Sequence, residues 1–273
     1  MADLAAADLV PEPLRGRIWR DTRRVRVGDV NPGGRVRLDA LSTYVQDLAG
    51  DDTTAAGAGS RHAWVVRRAV HELHVAPRFG ETLTLATWCS GLGRRWGERR
   101  VAMLGDRGAR VESALLWVSL DPRSGRPVPV GDDLDPGYRE AAGGREVSAR
   151  LQHDVARPEL DGRDGRGRAV VRRPWALRAT DFDLWNHVNN AATWAMVEEH
   201  LAHRDHQARF RAEVEFRAPV EPGGAVEVVV ETTSAAGAAG DEVLALWALL
   251  REAGSDPEAA PVLATTARVL PLD

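Results

Sequence analysis

The chain has 273 residues and a mass of 29.7 kDa, enough to bury a sizeable core as one large domain or two of ordinary size. Hydrophobic residues make up 44% and charged residues 28%, which excludes disorder, and a net charge of −4 gives no field that attracts nucleic acid. The single cysteine, Cys89, excludes an intramolecular disulfide and a Cys-rich zinc site and fits a reducing compartment, and no apolar run approaches the roughly 18 residues of a membrane-spanning helix.

The first stretch, MADLAAADLVPEPLRG, has no basic start and carries Asp3 and Asp8 inside its apolar part, so residues 1–15 read as a flexible leader and not a secretory signal. A short strand is expected at 22–28. A helix follows, because Leu38, Leu41, Val45 and Leu48 fall at helical spacing and Asp39 supplies a first-turn acid. Four strand-like segments come next, at 64–76, 82–89, 97–104 and 110–120, with the tight turn Gly105-Asp106-Arg107-Gly108 joining the last two. Residues 131–170 carry DPG, GG and DGRDGRGR with little apolar periodicity, and read as a connecting segment that is partly exposed.

The same order then repeats. A short strand is expected at 174–180, and a helix over 190–202 that is apolar on most faces and therefore buried. Strands are expected at 210–218, 225–233, 242–251 and 261–270. In the first of these, Val214, Phe216 and Ala218 alternate with Glu213, Glu215 and Arg217, the half-buried pattern of an antiparallel sheet. Ala76-Pro77 and Ala218-Pro219 punctuate equivalent places (218 − 76 = 142), and SALLWVSLD and TTARVLPLD close the two halves (273 − 121 = 152). The chain reads as two diverged copies of one α+β unit. The expected architecture is a tandem (double) hot-dog fold, two long helices each wrapped by a curved antiparallel sheet. The copies are placed at 16–130 and 171–273.

The densest polar cluster runs from Asp181 to Asn190, DFDLWNHVNN, straight into the buried helix. Asn189 or Asn190 taken alone reads as a helix cap, and His187 alone as a structural histidine. Together, Asp183, His187 and Asn190 suit chemistry. A helix start presents free N–H groups where a carbonyl gaining negative charge is stabilised. A carboxylate beside it activates water or attacks directly, and an amide and an imidazole orient the reactants. That set fits hydrolysis of an acyl compound.

DFDLWNHVNN before an apolar helix resembles the D-x-D-x-x-x-H-V-N-N segment of acyl-ACP thioesterases and related hot-dog thioesterases. RVRVGDV, LDALSTYVQDLAG, AWVVRRAVHELHVAPRFGETLTLATWCSGLGRR and LLWVSLDPRSGRPVPV resemble that family's N-terminal half, so the likeness spans roughly residues 18–273. It implies that residues 171–273 are the catalytic half and that the first half shapes the acyl pocket. It implies catalytic roles for Asp183, His187 and Asn190, with Trp185, Asn186 and Asn189 contacting substrate, and no metal or cofactor. The implied reaction releases a free fatty acid from acyl-ACP. Acyl-CoA as carrier, and a non-catalytic acyl-thioester-binding protein, are the alternatives. The implied setting is cytoplasmic fatty acid biosynthesis, by a monomer or homodimer without a membrane span.

The chain departs from the plant members at three places. Trp185 stands where they have an asparagine, and Pro219 and Val220 stand where they have a Glu-Cys pair. A mechanism needing that Glu or Cys is not expected, and Cys89 in the other half reads as a small buried hydrophobe. Asp183 then activates water or attacks the thioester carbon, Asn190 and a helix N–H hold the carbonyl oxygen, and His187 positions Asp183 or its loop. Glu198 and Glu199 are candidates for a late step, with a solvated helix end the more ordinary reading. Gly28-Asp29-Val30-Asn31-Pro32-Gly33-Gly34 resembles a hot-dog hydratase segment with Gly34 in place of its histidine, and fits a degenerate copy of the active loop. Arg94, Arg95, Arg99 and Arg100, with Arg209 and Arg211, suit either a solvated strand face or the docking of an acidic carrier or CoA phosphates. All 36 basic residues are arginine, which codon bias explains.

Overall fold

Leu38, Leu41, Val45 and Leu48 form one buried stripe along α1, Leu38–Ala55, while Thr43, Asp47, Gly50 and Asp51 face solvent. The computed structural model describes residues 9–57, 63–131, 134–156, 162–163, 168–201, 209–234, 242–256 and 258–272. The partner helix, α3, is shorter than expected. It runs Asn190–Glu198, and the amides of His200 and Leu201 then bond back three residues, tightening the chain into a turn that buries Leu201. The expectation of two long helices is therefore corrected to one long and one short, residue 202 onward lying outside the described residues until 209. No helix among the described residues is long and apolar enough to cross a membrane.

The sheet is one, not two. Eleven described strands pair in the order β1-β3-β4-β5-β2-β8-β11-β10-β9-β7-β6. They are β1 (Ile18–Arg24), β2 (Ala63–Val75), β3 (Thr82–Leu92), β4 (Trp96–Gly105), β5 (Arg110–Leu120), β6 (Gly162–Arg163), β7 (Arg168–Trp175), β8 (Phe210–Phe216), β9 (Ala225–Ser234), β10 (Glu242–Arg251) and β11 (Val262–Pro271). Every named pairing is antiparallel, and β2 with β8 forms the seam, from Arg68 opposite Glu215 to Leu73 opposite Phe210. β1 and β7 lie earlier than the expected 22–28 and 174–180, because the residues after each form the loop that enters the helix. The principal core cluster joins both halves through Leu41, Val45, Val66, Trp194, Val197, Val214 and Ala267.

The polar face of β8 is not solvated, contrary to the alternating pattern. Glu213 and Glu215 are buried, because residues 152–153 of the connecting segment cover them. The Gln152 and His153 amides both donate to Glu215 Oε1, and Arg217 donates to Glu215 Oε2 at 2.6 Å. The same segment holds α2 (Pro136–Ala142), started by Pro136 and an Asp135 cap that accepts the Gly137 N–H, and ended by Gly143 at φ 56°. Tyr138 of α2 and Cys89 pack together, and burial pushes the Cys89 thiol up, as befits a small hydrophobe.

The arginine runs also turn inward. Arg99 joins Arg17 and Tyr138 on the fully buried carboxylate of Asp52, Arg100 is buried beside Glu112, and Arg211 pairs with Glu72 at 2.7 Å. Those three are not free for phosphate; Arg94, Arg95 and Arg209 remain exposed. Two buried histidines stay neutral. Burial pushes His71 down to about 3, and burial with Arg268, Arg217 and Arg68 nearby pushes His153 down to about 3.

Below about pH 6.5 the unfolded chain protonates both imidazoles while the fold refuses the proton, so their stability contribution is lost as pH falls towards 3. At pH 5 the loss is about 2 kcal/mol per histidine. Urea denaturation at pH 7 and pH 5 is expected to show it, with about half of the loss absent in His153→Gln. An unchanged pH dependence in that variant counts against it.

Candidate active site

Both helices are entered by the same backbone loop, offset by 152 residues (183 − 31 = 152). In the first, a 3₁₀ turn at Val27–Asp29 leads to an Asn31 N–H that donates to Arg35 O at 2.8 Å, and Arg37 N–H donates to Asp29 O at 2.9 Å. In the second, a 3₁₀ turn at Ala179–Asp181 leads to an Asp183 N–H that donates to His187 O at 2.9 Å, and Asn189 N–H donates to Asp181 O at 2.8 Å. Gly34 at φ 78° and Asn186 at φ 63° take the same left-handed corner. The equivalences put Asn31 at the place of Asp183, Arg35 at that of His187 and Leu38 at that of Asn190. The first loop keeps the turn and lacks the acid, the imidazole and the amide.

The sequence-expected residues do not all converge. Asp183 Oδ1 accepts the backbone N–H groups of Trp185 (2.9 Å) and His187 (3.4 Å), so this carboxylate shapes its own loop; its Oδ2 has no partner among the described residues. His187 Nε2 points to Glu221 Oε1 at 3.9 Å, both groups partly exposed. Trp185 is 60% exposed at the loop tip beside Leu184 and does not line the cavity at the start of α3. Asn189 caps α3, accepting the Ala191 N–H at 2.7 Å, and Asn186 forms the corner of the turn.

Asn190 opens α3 onto a cavity of about 10 Å³ shared with the other half. Ser42 and Gln46 of α1 line it, with Val66 and Ala69 of β2, Leu115 of β5, and Trp194 and Phe216 as aromatic walls. It has room for a water and not for an acyl chain, so substrate entry requires side chains to move. The Asn190 and Ala192 N–H groups have no partner among the described residues, which leaves two donors at a half-buried helix start. Sequence reasoning missed Ser42, Gln46 and Glu221. Ser42 and Gln46 sit one turn apart on α1, and only the spacing i, i+4 marked them; Glu221 lies just past the Pro219-Val220 pair.

Ser42 belongs to a buried relay. Its Oγ is 2.8 Å from His71 Nε2, and His71 Nδ1 is 2.8 Å from Ser113 Oγ, with the imidazole packed on Trp194 at 4.6 Å between ring centroids. Glu198 is not a solvated helix end. It is buried, accepts the Leu38 N–H at 3.1 Å and pairs with buried Arg35 at 2.6 Å, closing the start of α1; Glu199 is exposed.

Among the described residues, His153, Glu213 and Glu215 bring three metal-type donors within 4.8 Å of one another. Glu215 is already satisfied by two amides and Arg217, and the arginines that push His153 down repel a cation equally. The group fits an internal ion-pair network better than a metal site.

Removing Glu198 strands the buried Arg35 guanidinium. Glu198→Ala is expected to lower the unfolding free energy by about 3–5 kcal/mol, read by urea denaturation at pH 7. Glu198→Gln is expected to cost less, since its amide oxygen still accepts the Leu38 N–H. Equal losses in the two variants would contradict the capping role.

Residues 16–138 match the acyl-ACP thioesterase N-terminal domain, and residues 167–258 match the acyl-ACP thioesterase C-terminal domain. An uncharacterized protein of Mycobacterium tuberculosis is 27% identical over 217 residues, covering 79% of this chain and 83% of that protein. Among solved structures, a putative oleoyl thioesterase from Lactobacillus plantarum superposes with a TM-score of 0.71 at 18% identity, covering 94% of this chain and 96% of that one. A 12:0-ACP thioesterase from Umbellularia californica superposes with a TM-score of 0.65 at 17% identity, covering 95% and 98%. These structural likenesses establish the thioesterase hot-dog fold. With both halves matched by the family's two domains, the chain belongs to the acyl-ACP thioesterase family and is a thioester hydrolase.

Proposed function

We propose that this chain releases a free fatty acid from acyl-ACP at the start of α3. The observation that carries this reading is the pair of unpartnered N–H groups, Asn190 and Ala192, at a half-buried helix start entered by the Asp183 loop and opening on a small, mainly apolar cavity. The thioester carbonyl oxygen takes these donors and the Asn190 side chain, so charge that develops on it meets fixed dipoles. Asp183 is the base: Oδ1 is held by its own loop, and Oδ2 is left to take a proton.

The water oxygen forms a bond to the carbonyl carbon while its proton passes to Asp183. The tetrahedral species then collapses, the C–S bond breaks, and the leaving thiolate takes the proton back. His187 beside Glu221 holds the loop that carries Asp183. Trp185 and Leu184, exposed at its tip, present an apolar surface to the incoming acyl thioester or its carrier. ACP as carrier is favoured by the family of both halves. Arg99, Arg100 and Arg211 are paired inward and offer no charge to CoA phosphates.

Thiol release from a panel of acyl-ACP and acyl-CoA substrates tests the reading. Asp183→Asn is expected to abolish turnover in a folded protein. Asn190→Ala is expected to lower kcat by about 10²-fold, the size of one oxyanion donor. Full activity in Asp183→Asn would remove Asp183 from the chemistry, and turnover of acyl-CoA alone would reassign the carrier.

A further inference from the structure

The cavity at the start of α3 has an apolar floor, and the next rung of the sheet behind that floor is polar. Ala69 of β2 lies opposite Leu115 of β5, and both line the cavity. Two residues further along β2 the opposite pair is His71 and Ser113; two further still it is Leu73 and Val111, both in the core. Successive rungs on one face of a sheet lie about 6–7 Å apart, so the polar rung follows the floor directly. His71 Nδ1 is 2.8 Å from Ser113 Oγ, and its Nε2 is 2.8 Å from Ser42 Oγ. All three residues are buried, and burial keeps the imidazole neutral, so one ring nitrogen donates and the other accepts.

Trp194 stands on that rung. It is 1% exposed, walls the cavity, and packs on the His71 ring at 4.6 Å between centroids with the planes 50° apart. The 152-residue offset that maps one loop onto the other sets Trp194 against Ser42 (194 − 42 = 152). The same place on the two helices therefore carries an indole and a hydroxyl, and both line the one cavity. The indole is held from behind. His71 cannot give way without losing two hydrogen bonds, and an alkyl chain offers neither donor nor acceptor to replace them. Gln46 and Phe216 line the same cavity half-buried, with solvent to move into.

We infer that Trp194, held on the His71 rung, is the residue that limits the acyl chain, and that the substrate is a thioester of a short acyl group. The inference rests on the thioesterase reading above, which puts the thioester carbonyl at Asn190, a wall of this cavity. From there the acyl group enters over Ala69 and Leu115 as Gln46 and Phe216 give way, and its end meets the indole. Each methylene gains burial on the apolar floor. A longer chain would have to displace the indole and break the relay behind it. The relay thereby acquires a purpose: three polar groups in an apolar layer make the stop rigid.

Thiol release along a straight-chain series on one carrier, from butanoyl to hexadecanoyl, tests this on the full chain. The unmodified protein is expected to lose about tenfold or more in kcat/KM between hexanoyl and dodecanoyl. Trp194→Ala is expected to raise the dodecanoyl-to-hexanoyl ratio by about the same factor, and Trp194→Leu, which keeps more of the core volume, by less. The leucine protein carries the test should the alanine protein not fold. A merely structural Trp194 would lower every chain length together and leave the ratio unmoved. That result, or a preference of the unmodified protein for dodecanoyl or longer, overturns the inference. Calorimetric binding of the free acids reads the same pocket without turnover: hexanoate is expected to bind the unmodified protein, and dodecanoate only the variants. Should the unmodified protein hydrolyse no thioester, the thioesterase reading fails by itself and the binding comparison decides about Trp194. Equal binding of the two acids by the unmodified protein, or binding of neither by any of the three proteins, overturns the inference.

Discussion

Two helix starts packed against one curved sheet impose the constraint on which the rest of this structure depends. A helix N-terminus has amide N–H groups with no intrahelical partner, and burying them unsatisfied is costly. The fold answers the problem twice and differently. At α1 the Glu198 carboxylate reaches across from α3, accepts the Leu38 N–H and is neutralised by Arg35. At α3 the Asn189 side chain takes one N–H, and Asn190 and Ala192 keep theirs. The two ends are equivalent in backbone and unlike in the side chains that meet them. The closed end stabilises the joint between the halves. The other end keeps the Asn190 and Ala192 donors free of any partner among the described residues.

Two buried carboxylates are fully paired. Asp52 is fully buried and satisfied by Arg17, Arg99 and Tyr138, which ties β1, the end of α1, β4 and α2 together. Glu215 is satisfied by two amides and an arginine, which fastens the connecting segment over the seam of the sheet. Such pairs specify geometry more than they add stability, because desolvation offsets most of the attraction. An all-arginine complement suits the task. A guanidinium stays charged when buried and offers several donors in a plane, so one residue can bond a carboxylate and a carbonyl at once, as Arg17 does with Asp52.

The seam also decides which residues meet. Pairing of β2 with β8 sets the halves back to back and lays α1 against α3 in opposite directions. His71 on β2 is brought under Ser42 of α1, and Trp194 of α3 packs on its ring. A polar relay in an otherwise apolar layer is expensive unless every group is satisfied, and here both ring nitrogens have partners. The cavity beside it therefore joins a rigid wall from one half to a helix start from the other.

Much of this was legible in the sequence by itself. The repeated order of strand, helix and four strands could be read because alternation and helical spacing are local properties of the chain. The turns at Gly105–Gly108 and Asp181–Asn190 could be read because turn chemistry is local too. The 152-residue echo of SALLWVSLD in TTARVLPLD already contained the offset that relates the two loops entering the helices. Tertiary structure alone decided the remainder. The two sheets became one and the polar face of β8 was buried, because each depends on a strand or segment far away in sequence. No local pattern marks Glu198 as the cap of a helix 160 residues earlier, or Gln46 as a neighbour of Asn190. Local periodicity fixes which face of an element is buried; only the packing of whole elements fixes which side chains share a cavity.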